Sequence, residues 1–115
     1  MRSEPWGVRI DHILESIERI QEYTEGLTFA EFKKYDLAVD AVIWRFQVIA
    51  LASGHVPDDV IARLDGVPWT TFRSFPIGLP SLRDDDDFLS GIWNAAKVEL
   101  PALVPRLTAI RAEAP

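Results

Sequence analysis

The 115-residue sequence contains no cysteine, which excludes disulfides, thiolate metal sites and cysteine nucleophiles. Histidine and tyrosine are scarce, and none of them lies after His55. No apolar run approaches the roughly 18 residues that a bilayer-spanning helix needs. The polar start, Met1–Pro5, lacks the apolar core of a signal peptide. These absences predict a cytoplasmic protein.

The residues that are present favour one folded domain over 1–115. Hydrophobic residues make up 48% and charged residues 26% of the chain, a composition that disfavours disorder. The net charge is −6, from 18 acidic and 12 basic residues. A stand-alone nucleic-acid binder usually has a basic footprint, so this charge favours a protein partner.

Hydrophobic periodicity predicts helices throughout. Residues 8–23 carry one apolar stripe, and Gly26 follows as a left-handed cap. Thr28 and Glu31 form a capping-box pattern. A long helix is predicted from about Asp36 to Ser53 and stopped by Gly54. It is apolar on its core side and also on its outer side, at Ala41, Trp44, Val48 and Leu51. Such a helix is central, or its outer side meets another subunit.

The second half of the chain is interrupted by proline and glycine. Pro57 is predicted at the first position of a short helix that Gly66 ends, and Pro68–Trp69 open another short turn. The last helix begins near Asp86 or Asp87, whose carboxylates can cap it. It keeps one apolar phase across Pro101 and Pro105, which favours one kinked helix. The sequence therefore predicts an all-α, up-and-down bundle of four to five helices.

Several segments together resemble the HepT-like family, a branch of the HEPN all-helical superfamily. They occur in the family's order and at its spacing: Arg9–Leu14, Thr28–Phe29 with Phe32, Asp40–Ile43, Arg45–Ile49, Val56–Pro57, Val67–Trp69, Ile92–Trp93 and Val98–Pro101. The resemblance implies a HEPN-like bundle and a homodimeric ribonuclease toxin of a bacterial toxin–antitoxin pair. It also implies an MNT-type nucleotidyltransferase antitoxin as partner, which silences the toxin by adding AMP to a tyrosine.

The family's catalytic motif is Arg, four to six residues, His, any residue, Tyr, before the last helix. A His can act as general acid or base on a ribose hydroxyl, and an Arg can hold the phosphate bidentately. Here the corresponding positions fall near Pro76, Ser81 and Arg83. The family's Gly-Glu-Ala in the central helix is also replaced, by Ala50-Leu51-Ala52. No catalytic residue is carried over, so the resemblance leaves enzymatic activity open.

The other candidate residues of the family's cleft are Arg45, His55, Arg73 and Arg83. Arg73 and Arg83 could contact a phosphate, His55 could take a catalytic role, and Arg45 could line the cleft. The simpler interpretation is preferred for each: exposed charges, a structural ion pair for Arg45, and a cap for His55. Asp84–Asp87 could bind a hard cation, but a solvated helix start is preferred. We therefore expect neither a metal nor a cofactor.

Three hypotheses follow for the function. The preferred one is a toxin-component homologue that has lost its ribonuclease chemistry and acts by binding proteins, as a homodimer and with a nucleotidyltransferase. The second is an active ribonuclease that uses substitute groups such as Arg73, Arg83 and His55, with RNA as its ligand. The third is that a compensated pair of frame errors between about residues 74 and 89 hides the motif. None of the three involves a membrane.

Overall fold

A computed structural model describes residues 5–63, 69–70 and 84–114. These residues form helices and turns without a β-strand. The segments are α1 (Trp6–Thr24), α2 (Phe29–Lys34), α3 (Asp36–Ser53), α4 (Asp58–Ala62), α5 (Asp86–Asn94), a π turn (Ala95–Glu99) and α6 (Leu100–Ala112). The predicted all-α fold is confirmed. No helix in the described ranges is both long and apolar enough to cross a bilayer.

The core lies mainly between α1 and α3, the pair of helices with the largest shared contact, and α6 packs against α1. The apolar stripe of α1 is fully buried at Ile10, Ile13 and Ile20. On α3, Val39 and Val42 supply the facing surface. Burying each such side chain contributes about 1.5–3 kcal/mol. This packing fixes which side of α3 faces inward.

The turn between α1 and α2 forms as the sequence predicts. Gly26 has φ +77°, the left-handed conformation that glycine adopts without a Cβ clash. Thr28 Oγ1 accepts a hydrogen bond from the Glu31 amide at 3.1 Å, and Glu31 accepts one from the Thr28 amide at 2.9 Å. This reciprocal capping box fixes the start of α2.

The prolines of the last helical segment are accommodated without breaking it. Pro101 cannot donate a backbone hydrogen bond, and its ring would clash with the carbonyl four residues earlier in an α-helix. The π turn lies just before it, and the Leu100 amide bonds to the Ala95 carbonyl, five residues back. The predicted apolar phase therefore holds on both sides of the turn, where these residues are buried: Leu89, Ile92, Ala96, Leu100, Leu103, Leu107 and Ile110.

Two details of the sequence prediction were wrong. Pro57 occupies the N-cap of α4 rather than its first helical position. The last segment is capped by Asp85, whose side chain accepts a hydrogen bond from the Phe88 amide at 3.0 Å, not by Asp86 or Asp87. Four adjacent aspartates can each serve as a cap, so the sequence alone did not select one. The end predicted at Gly66 lies outside the described residues.

Candidate functional site

The positions that correspond to the family motif, Pro76, Ser81 and Arg83, lie outside the described residues, as does Arg73. The sequence of this segment has neither histidine nor tyrosine. The other predicted site residues, Arg45 and His55, belong to α3 and to the turn that follows it.

Arg45 lies at the edge between the core and the outer side of α3. Ala38 and Ala52, seven residues away in either direction, are buried, whereas Trp44 is 57% exposed. The Arg45 side chain is partly buried, and its Nε is buried without a hydrogen-bond acceptor among the described residues. An unsatisfied N–H of a charged group is costly. The predicted structural ion pair of Arg45 is therefore not seen in this part of the chain.

His55 is exposed in the turn after α3. Its backbone amide bonds to the Ala52 carbonyl at 3.1 Å, and its imidazole has no hydrogen bond to a described residue. A general base is normally oriented by a second group, and none of the described residues does so. His12 lies partly buried on α1, and the fold does not bring these two histidines into one described site.

Leu51 occupies the central-helix position where the resemblance places an acidic residue. It points away from the core and is 56% exposed, while its neighbours Ala50 and Ala52 are buried. A carboxylate here would face outward, where it could interact with a bound group. A leucine side chain can neither transfer a proton nor orient a histidine.

The outer side of α3 carries a continuous apolar band, which we call the α3 stripe: Leu37, Ala41, Trp44, Val48 and Leu51. Its large members are strongly exposed, Leu37 at 73% and Trp44 at 57%. The sequence predicted four of these residues and missed Leu37. An exposed apolar patch rimmed by polar residues indicates an interaction site.

The other described tryptophans that the sequence singled out are structural. Trp69 is buried. Trp93 packs against Phe32 with ring centroids 5.1 Å apart, and Lys97 lies over its ring at 5.3 Å. Trp69 is thus covered by the protein, and the Trp93 ring is engaged by neighbouring side chains of its own chain.

Two surface concavities were not predicted. A groove of about 890 Å³ lies between α1 and the π turn with α6, lined by apolar side chains, by Glu18 and Glu22 of α1 and by Glu25 just after it. In it, Lys97 donates to the Thr24 carbonyl at 3.4 Å. A second depression, of about 510 Å³, includes Tyr23 and Tyr35 and borders the α3 stripe at Leu37. The first forms from residues distant in sequence, so local patterns gave no signal for it.

Two aspartates of the acidic run make contacts within the fold. Asp85 caps α5, and Asp86 forms an exposed ion pair with Lys33 at 3.5 Å. Within the described ranges, no three His, Asp or Glu side chains are grouped for metal binding. A further exposed pair, Arg111 with Asp11 at 2.7 Å, joins α6 to α1, and its hydrogen bond raises the pKa of Arg111.

Comparison with known proteins finds one matching family model and two matching proteins. The model of a family described as "Ribonuclease HepT-like" matches residues 13–76. A Methanocaldococcus jannaschii protein named "Gamma-glutamylcyclotransferase and putative RNase" is 31% identical over 106 residues, covering 92% of this chain and 47% of the relative. A "Putative RNase" of the same organism is 36% identical over 72 residues, covering 63% of this chain and 54% of the relative. No solved structure matches.

The extent of these matches bears on the site. The chain spans about half the length of the curated relatives it matches. The family match includes Arg45, His55 and Arg73 and stops at Pro76, the position where the first residue of the catalytic motif is expected. The family match thus spans most of α1 and all of α2, α3 and α4, and it ends where the catalytic segment is expected, before α5 and α6.

Proposed function

Because the chain belongs to the ribonuclease HepT-like family, we propose that it is a toxin-component homologue that has lost ribonuclease chemistry and acts by binding other proteins. The observation that carries this proposal is the missing motif: no histidine follows His55 and no tyrosine follows Tyr35. Without a base and its orienting groups, in-line cleavage of RNA loses contributions of about 10²–10⁴-fold from proton transfer alone.

Two further features support loss of catalysis. Leu51 stands where the family carries an acid, so the change extends to a second element of the site. The net charge of −6 disfavours the phosphate contacts that dominate nucleic-acid affinity. Two independent losses and an unfavourable charge are expected of a protein that is no longer selected for cleavage.

The proposed partners are a second copy of this chain and an MNT-type nucleotidyltransferase. The α3 stripe supports the protein-binding role, since it exposes large apolar side chains in a chain of modest size. Transfer of AMP to the motif tyrosine has no counterpart here, because neither Tyr23 nor Tyr35 occupies the motif position. We propose that the partner binds without this modification.

The proposal is tested with purified full-length protein and structured and single-stranded RNA substrates, with and without divalent cations. The expected result is no cleavage above that of a His55→Ala and Arg45→Ala double variant prepared identically. Cleavage by the wild type that disappears in that variant would show that catalysis survives. The proposed partner is tested by sequencing the genes next to this one. If one encodes a nucleotidyltransferase, the two proteins are expected to co-purify.

The alternative is an active ribonuclease with substitute residues. It is favoured by the names of the two relatives, both of which include RNase, and by the unsatisfied Nε of Arg45. It predicts growth arrest on expression and cleavage that depends on His55, Arg73 or Arg83. If His55→Ala and Arg73→Ala leave all cleavage unchanged, this alternative is excluded. Translating the gene segment for residues 74–89 in its other frames tests the frame-error hypothesis.

A further inference from the structure

The α3 stripe has the spacing of a coiled-coil seam. Its five residues follow one another at intervals of four, three, four and three residues, the a and d pattern of a heptad repeat. The three largest, Leu37, Trp44 and Leu51, are exposed by 73%, 57% and 56%. The opposite side of α3 is buried against the protomer's own core, so the seam is a second apolar surface that the protomer leaves open.

Charged residues flank this seam in a self-complementary way. Asp40 lies on one flank and Arg45, five residues later, on the other. In two parallel helices joined along a heptad seam, these two flanking positions meet across the pair. Asp40 of each copy would then lie beside Arg45 of the other. The Arg45 Nε, buried without a described acceptor in the protomer, would gain a carboxylate nearby.

The same seam fits an antiparallel pair less well. In that arrangement a positions face d positions, so the five layers cannot all be matched, and either Leu37 or Leu51 is left without a counterpart. Asp40 and Arg45 then lie on flanks that do not meet. A parallel, in-register pair covers every layer and forms two symmetric contacts between opposite charges.

We propose that α3 pairs with α3 of a second copy, parallel and in register, through Leu37, Ala41, Trp44, Val48 and Leu51. This inference rests on the homodimer of the proposed function and adds its surface and its polarity. Two-fold symmetry along α3 places both Ser53 ends together, so His55 of each copy lies at the same end of the dimer. The former acid position, Leu51, becomes part of the apolar contact.

The first experiment measures the oligomeric state of the full chain by sedimentation equilibrium. Trp44→Glu is expected to raise the dimer dissociation constant at least about 30-fold, because a central aromatic side chain of an interface is typically a hot spot. Val98→Glu is the matched control: Val98 is 61% exposed, lies on the π turn and is expected to leave the constant unchanged. Equal effects of the two substitutions would contradict the seam.

The polarity is tested with single cysteines, which the cysteine-free chain makes unambiguous. Leu37→Cys and Leu51→Cys are each expected to form a disulfide-linked dimer under mild oxidation, and Val98→Cys is not. In the parallel pair each cysteine faces itself within disulfide range. In an antiparallel pair Leu37 would lie about 16 Å along the axis from its own copy, and neither single variant would cross-link.

The experiments distinguish failure of the α3 seam from failure of the homodimer. A dimer whose Leu37→Cys and Leu51→Cys variants cross-link no faster than Val98→Cys would overturn the seam and keep the homodimer. A chain that is monomeric at about 100 µM, well above the micromolar constants of weak interfaces, would overturn both. The RNA-cleavage assay on the same preparations reports separately on loss of catalysis, since it does not depend on either result.

Discussion

At the scale of single residues, two buried serines differ in how their hydroxyl groups are satisfied. Both are 0% exposed. Ser53 donates from Oγ to the Ile49 carbonyl at 2.7 Å, whereas Ser16 Oγ has no hydrogen-bond partner in the described part of the chain. A buried hydroxyl without a partner keeps its desolvation penalty and contributes no bond.

Substitution of these serines is therefore expected to have opposite effects. Ser16→Ala should raise the free energy of unfolding by about 1 kcal/mol, because it removes an unsatisfied polar atom. Ser53→Ala should lower it by about 1 kcal/mol, because it removes a formed hydrogen bond. Urea denaturation followed by circular dichroism measures both. A loss of stability in Ser16→Ala would indicate that its hydroxyl is engaged after all.

At the scale of elements, the end of α1 depends on one glycine. Gly26 has φ +77° and open space where a Cβ would lie, so its role is conformational rather than steric. Gly26→Ala is expected to lower the free energy of unfolding by about 1–2 kcal/mol, the cost of an L-residue in the left-handed region.

Gly91 provides the matched control. It lies within α5, where a Cβ would also meet nothing within 4 Å. Gly91→Ala should raise the free energy of unfolding by about 0.5–1 kcal/mol, because alanine is the better helix former. Thermal and urea unfolding measure the change in the free energy of unfolding for both variants. If both substitutions changed the free energy of unfolding in the same direction, the left-handed conformation of Gly26 would not be what makes alanine unfavourable there.

How far the sequence predicts an element depends on whether its signals are local. The bounds of α3 were predicted to the residue because Gly54 follows its last apolar position, and the capping box at Thr28 is read directly from its spacing. The start of α5 at Asp86 was predicted, but its capping residue, Asp85, was not, because adjacent aspartates are equivalent as caps. The candidate site was harder to predict from the sequence. The exposure of Leu37 depends on how α1 packs against α3, and no local sequence pattern encodes that packing.

At the scale of the whole molecule, the first and last helices share one core. Leu107 of α6 is fully buried, and α6 packs against α1. Leu107→Ala is expected to lower the free energy of unfolding by about 2–5 kcal/mol through lost burial and a residual cavity. If residues 1–115 form one domain, unfolding should remain a single transition.

The control for this variant is Val98→Ala, since Val98 is 61% exposed and its truncation should change stability by no more than about 0.5 kcal/mol. Calorimetry and denaturant titration give the number of transitions for both proteins. Two separate transitions in Leu107→Ala would contradict the prediction of a single domain and show that the last helix can detach from an otherwise folded protein.

The exposure of Trp44 also has an optical consequence. The other described tryptophans are buried or partly covered by the protomer, so Trp44 is the one among them whose indole is mostly in water. Its fluorescence should shift to shorter wavelength whenever a partner covers α3, and a Trp44→Phe variant identifies its share of the emission. The molecule thus carries an intrinsic fluorescent reporter on the surface where association is proposed, and binding can be followed in solution without an attached dye.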